Sequence, residues 1–265
     1  MRRAGAVDEP VVLSGVEFDV VCAAEGLTER RHSVLDVPSP GMTRTERAHL
    51  VARTWQDLRS RGLAEPGRDR AAPELADLLT VFDRPQRSID VRIWADRPIR
   101  SQAGFRSSGA LAIVDADVVE LHPIRPGVLV GAAVSVAGEM PAGPGRSVSL
   151  LNEHLREAGR LAGPDDPQEF GYELRALGVP PDDAVDVANM VSGMGMRGQF
   201  GAQVADRDGR AERAGAVVGF HDTAAGRYLH VLRGSGDNRW STVVPADNAR
   251  IAQHVTDLVD GLSRS

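Results

Sequence analysis

The residues best equipped for chemistry in this chain are one glycine-rich turn, seven histidines, one cysteine and several paired carboxylates. Gly193-Met194-Gly195-Met196-Arg197-Gly198 matches G-x-G-x-x-G letter for letter. A dinucleotide fingerprint follows a strand and opens a helix, so that pyrophosphate meets the helix N-terminus. Here helical periodicity precedes the glycines and strand periodicity follows them, which makes the segment a helix-to-strand turn. Among His32, His49, His122, His154, His221, His230 and His254, no two stand in an H-x-x-x-H or H-E-x-x-H pattern. A hairpin turn centred on Ala224-Ala225 sets His221 opposite Tyr228 and His230 opposite Gly219, so both rings share one sheet face as diagonal neighbours. Catalytic zinc takes at least three protein ligands, and strand alternation turns Asp222 to the other face. The two histidines are therefore expected at ordinary polar surface positions. Cys22 falls in the apolar part of an expected helix, the setting of a buried, inert thiol. No G-x-S-x-G elbow exists. Asp115/Asp117, Asp165/Asp166 and Asp182/Asp183 sit at turns or helix starts, where acids cap the backbone and oppose the helix dipole. No catalytic residue, metal or cofactor is expected from this set.

What remains is Met190, Met194 and Met196, clustered at the end of one expected helix and in the turn after it. Unbranched thioethers adapt to irregular apolar surroundings. They either fill the core between helix and sheet or face an apolar partner.

The elements that hold these residues read as two similar series. Ser14 and Glu17 form a capping-box pattern, with Leu13 and Phe18 placed to staple across it, so a helix runs to about Gly26. Thr43 and Glu46 open a second, with Ala48, Val51, Trp55 and Leu58 on its apolar face. A third opens near Pro73 with Leu75, Leu78, Leu79 and Phe82. The period then shortens to two: Ile89, Val91 and Ile93, then Leu111 and Ile113, then Val118–Leu121, read as two or three antiparallel strands. Gly127–Ala137 is apolar nearly throughout, fits a buried helix or a strand, and is taken as a helix. Gly138–Gly145 is rich in Pro and Gly and reads as a linker. The second half repeats the order. Helices are expected near 151–162, from Asp166-Pro167 to Gly178, and over Pro181–Ser192. Strands follow at Gln199–Val204, Ala214–His221, Arg227–Leu232 and Trp240–Val244, with turns at Asp208-Gly209, Ala225-Gly226 and Gly234-Ser235-Gly236. A last helix spans Ala246–Leu262.

Composition narrows the function. The chain has 265 residues, 42% of them hydrophobic, with 4% aromatics and a net charge of −6. That sign and the scarcity of rings argue against nucleic-acid binding. One cysteine excludes an intrachain disulfide and fits a reducing cytoplasm. No apolar run is long enough to span a membrane, and residues 1–9 read as a frayed tail.

The order of motifs resembles the EspG family of ESX (type VII) secretion-associated proteins. The resemblance rests on Leu13-Ser14-Gly15-Val16-Glu17-Phe18, on Pro38-Ser39-Pro40-Gly41-Met42-Thr43 leading into Glu46-Arg47, and on Leu58–Leu63. In the second half it rests on Arg197-Gly198-Gln199-Phe200-Gly201, Arg210, Asp222–Tyr228, and Trp240 leading to Pro245-Ala246-Asp247. It implies an α+β fold with a central antiparallel β-sheet flanked by two α-helical bundles, in quasi-twofold halves. One EspG-like domain would cover 10–265, with halves of about 10–138 and 146–265. It implies a cytoplasmic chaperone, not an enzyme, without cofactor or metal. Its partner would be a PPE-like protein within a PE–PPE-like heterodimer, whose apolar tip it binds, keeps soluble and guides to the secretion apparatus. Client binding would use the second-half helices and the sheet, where Met190, Met194 and Gln199 are the candidate residues. Gly198, Phe200, Gly201 and Tyr228 would be structural. The alternatives are a small-ligand enzyme or hydrolase on an α+β scaffold, and a self-assembling scaffold protein that uses the same apolar surfaces for a symmetric dimer.

Overall fold

The computed structural model describes residues 9–27, 32–125, 127–162, 166–206, 208–234 and 236–263. Asp165, Ser235 and most of the expected N-terminal tail lie outside that set. The chain divides into two compact units. One holds Met1–Arg92, Arg97–Val136 and Gln203–Glu212; the other holds Ile93–Asp96, Ala137–Ala202 and Arg213–Ser265.

In the first unit, β1 (Val11–Ser14) leads directly into α1 (Gly15–Ala24). Both bonds of the Ser14–Glu17 capping box form, and Leu13 and Phe18 are buried beside it. α2 (Arg44–Ser60) opens on the Thr43–Glu46 box, and α3 (Pro73–Asp83) opens on a proline. Strands β2 (Arg87–Trp94), β3 (Pro98–Phe105), β4 (Gly109–Asp115) and β5 (Val118–Ile124) follow, then α4 (Leu129–Ser135). The strand order is β1-β5-β4-β3-β2. Phe18, Trp55, Leu58, Leu75, Leu79 and Phe82 from the helices pack with Ala110, Ala112, Val114, Val119 and Leu121 from the sheet. α4 packs on β3, so Gly127–Ala137 holds the expected helix.

The chain then runs β6 (Val148–Leu151), α5 (Asn152–Leu161), α6 (Pro167–Ala176), α7 (Pro181–Val191), β7 (Arg197–Ala205), β8 (Ala211–Arg213), β9 (Val218–Thr223), β10 (Gly226–Arg233), β11 (Trp240–Pro245) and α8 (Asn248–Ser263), all in the second unit save the end of β7 and most of β8. β8 pairs only with β7, and the remaining order is β7-β9-β10-β11-β6. Each unit thus places its leading strand beside its last one, so the same topology occurs twice. The fold is α+β with antiparallel pairing, as expected.

Two strands escaped the sequence reading in the first unit. β1 is only four residues long and merges into a helix cap. β3 shows no alternation because Ser101, Gln102 and Ala103 are all buried. Its polar burial is satisfied in part by Ser101 Oγ, which donates to the Ala112 carbonyl at 2.7 Å. β6 was missed for the reason that hid β1.

The Pro/Gly segment after Gly138 is stitched to the second unit rather than loose. Arg227 N–H donates to the Pro141 carbonyl, and Gly143 N–H donates to the Arg227 carbonyl. Tyr228 Oη donates to the Pro144 carbonyl at 3.1 Å, and a Cβ on Gly143 would fall inside the Tyr228 ring. The Arg227 side chain is fully buried. Its Nε and Nη2 donate to the two Asp222 carboxylate oxygens at 2.7 and 2.9 Å. Nη2 also donates to the Ala137 carbonyl at 2.7 Å. Nη1 donates to the Gly138 carbonyl at 3.0 Å and to Asn248 Oδ1. All five guanidinium N–H groups are used. Breaking a buried pair leaves an uncompensated charge. Arg227→Ala should therefore lower stability by about 3–5 kcal/mol in urea unfolding, and Asp222→Leu added to Arg227→Met should recover much of that loss.

Candidate functional site

The site is built where α7 hands over to β7. α7 buries Ala184, Val187, Ala188 and Met190, and Arg146 holds its first turn through Asp183 at 2.6 Å and Asp186 at 2.7 Å. The chain then turns through Gly193, at φ +63°, a conformation that glycine adopts without cost. Gly195 N–H donates to the Asp222 carbonyl at 2.9 Å, and Asp222 N–H donates to the Met196 carbonyl at 2.7 Å. The G-x-G-x-x-G stretch is thus a helix-to-strand turn latched to β9, as its context predicted.

Beside this turn lies a groove of about 350 Å³ within the second unit. Its wall combines Leu155, Pro167, Phe170, Ala188, Val191 and Met194 with the polar residues Ser192, Arg197 and His230. Asp166 is also at its rim, but its carboxylate is engaged in capping α6 through Gln168 N–H and Glu169 N–H, both at 2.9 Å.

The hairpin register is the one expected: His221 stands opposite Tyr228, and His230 opposite Gly219. The environment is not. His221 is 1% exposed and stacks on Tyr228, and His230 lines the groove. The expectation of two surface histidines is corrected: α5–α7 cover this face of the sheet. His221 Nε2 lies 2.8 Å from the Met190 carbonyl oxygen and must donate to it. Its Nδ1 is then the acceptor for His230 Nε2–H, also at 2.8 Å. Burial holds His221 below the usual histidine range, against the opposing pull of the Met190 carbonyl and Asp222. Burial, and His221 beside it, push His230 down to about 3. Both rings are therefore neutral at pH 7.

Of the three residues named from sequence, Met194 is 40% exposed and lines the groove. Gln199 is half-buried on β7 opposite Gly219, and strand alternation gives it the same face as Arg197. Met190 is corrected to the core. It is 1% exposed and its sulfur abuts Gly145, so the flexible thioether fills a gap. Gly198, Phe200, Gly201 and Tyr228 are all buried, in line with structural roles. Sequence reading missed Leu155, Phe170 and Arg197, which come from three separate elements. It also missed the Asp222–Arg227 pair, although the register used for the histidines sets those two residues opposite each other.

The family profile described as the EspG family matches residues 14–257. The chain belongs to the EspG family. This EspG-family chain is also similar in fold to a solved structure, that of the Mycobacterium tuberculosis type VII secretion system chaperone EspG5 in complex with the PE25–PPE41 dimer. The TM-score is 0.70 at 13% identity, over 94% of this chain and 95% of that one. A curated relative, the 3-phosphoshikimate 1-carboxyvinyltransferase of Methylobacterium sp. (strain 4-46), is 33% identical over 84 residues. The match covers 31% of this chain, and this chain spans 19% of that enzyme's length. No helix among the described residues is long and apolar enough to cross a membrane.

The histidine pair generates a pH dependence. Both folded-state values lie below the unfolded value of about 6.5, so the unfolded chain binds more protons as pH falls. The pair's contribution is complete above about pH 6.5 and is lost progressively as pH drops toward 3. Urea unfolding from pH 7 to 5 should show falling stability, with a shallower slope in His230→Leu; identical slopes would mean that the pair does not titrate this way.

Proposed function

We propose that this EspG-family chain is a cytoplasmic type VII secretion chaperone and not an enzyme. Its client would be a PPE-like protein within a PE–PPE-like heterodimer. It would cover the client's apolar tip, keep it soluble and guide it to the ESX apparatus. The observation that carries this reading is the family match over nearly the whole chain. The solved relative of similar fold is a chaperone in complex with such a dimer. The groove supports it as well: Leu155, Phe170, Val191 and Met194 offer apolar surface to an inserted side chain, with polar groups beside it to orient one. Leu161, Tyr172 and Val185 are exposed on α5, α6 and α7 and extend the apolar character of that bundle. We place the client surface on α5–α7 and the face of β7 that carries Gln199, with Met194 as an anchor. The EspG-like domain is taken as 10–265, with halves of about 10–138 and 146–265.

Co-expression with a PE–PPE-like pair tests the reading. A three-component complex should elute together in gel filtration. Interfaces concentrate energy in few anchors, so Met194→Ala should weaken the complex by about 2 kcal/mol and change the free protein's stability by less than about 0.5 kcal/mol. Met190→Ala should instead cost about 2–5 kcal/mol of stability. Full binding after truncation of both Met194 and Gln199 would move the surface elsewhere. Failure of every PE–PPE-like pair to associate would overturn the chaperone reading.

A further inference from the structure

The opposite face of the second unit's sheet carries a different pocket, of about 280 Å³. Val243 packs among α5–α7, so its neighbours Thr242 and Val244 look the other way. Ser149 stands opposite Thr242, and Thr242 opposite Val231. This gives a floor of Val231 and Val244 edged by hydroxyls. Ser149 Oγ and Thr242 Oγ1 are 2.8 Å apart and hydrogen-bonded, and Ser147 adds a third hydroxyl to the wall. Arg233 rises from the end of β10. Arg250 and His254 stand one turn apart on α8 and close the other side.

No carboxylate is among the described residues that line this pocket. In a chain with six more acids than bases, such a local excess of positive charge is unexpected from composition. The cations act on one another. His254 is held below the usual histidine range by burial, with Arg250 and Arg233 pushing the same way and Asp257 opposing. Guanidinium groups offer paired N–H donors to an oxyanion, and hydroxyls can turn to donate from other directions. Donors converging from the arginines on two sides and from the hydroxyls edging the floor suit a tetrahedral oxyanion better than a planar carboxylate.

We propose that this pocket binds a phosphate group, carried by free inorganic phosphate or by a small phosphorylated metabolite. The pocket lies on the face away from Met194 and Gln199, so the assignment does not depend on the chaperone reading. Calorimetric titration of the full chain at constant ionic strength, in a phosphate-free buffer, tests it. The probes are inorganic phosphate, ribose 5-phosphate and acetate. Saturable binding of a phosphate probe is expected, weakened about tenfold or more by Arg250→Gln or Arg233→Gln. Arg44→Gln, at an exposed position on α2, should bind like the unmodified chain. Both pocket arginines are exposed, so their variants should melt normally. Tighter binding of ribose 5-phosphate than of phosphate would identify a metabolite as the source, and the reverse would identify the free ion. Acetate binding as well as phosphate, no saturation by either phosphate probe up to about 10 mM, or arginine variants that bind unchanged would each overturn the proposal.

Discussion

The second unit depends on one buried ion pair. Asp222 and Arg227 face each other across the β9–β10 hairpin, and both are buried. A buried pair is worth keeping only when its geometry is good and its remaining donors are met. Here they are met by backbone carbonyls of Ala137 and Gly138 and by Asn248 at the start of α8. One guanidinium therefore fixes the hairpin, the segment entering the unit and the last helix. The main chain of Asp222 then anchors the turn at the groove through Gly195 and Met196. The positions of Met194 and Arg197 are consequences of a charge pair on the other side of the sheet.

The first unit uses the same device on different elements. Asp19, buried in α1, accepts from Arg47 at 2.6 Å and from Ser39 at 2.9 Å. Arg47 also donates to the Pro40 carbonyl at 3.1 Å. Gly41, at φ +111°, sits so close to the Arg47 backbone that a Cβ would approach it to 3.0 Å. In each unit an Asp–Arg pair ties down a Pro/Gly segment that has no helical or strand propensity of its own. Such segments are usually left to solvent. Here the arginine supplies the hydrogen bonds that regular structure would otherwise give.

Much of this was legible in sequence. The Ser14–Glu17 and Thr43–Glu46 boxes act locally, so their helices begin where the residues say. The hairpin register followed from Ala224-Ala225 alone. What could not be read depended on distant cover. The histidines were expected in water because their strand neighbours said nothing of α5–α7. β3 hid because both of its faces are covered, which removes the alternation that marks a half-exposed strand. Met190 and Met194 lie four residues apart in similar local sequence, yet Gly145 closes over one and nothing closes over the other. The groove draws Leu155, Phe170 and Arg197 from three elements, so no spacing in the chain announces it.

This division of work bears on how such a surface can change. The turn that presents Met194 is held by main-chain hydrogen bonds and by glycine at a positive φ, not by the side chains exposed on it. Met194, exposed on that turn, carries no part of the core, so its substitution avoids the large stability losses that follow core truncation. Behind the groove, the His221–His230 hydrogen bond ties the two strands of the hairpin together through their side chains. The placement of that turn and the side chain it exposes are thereby set by different interactions.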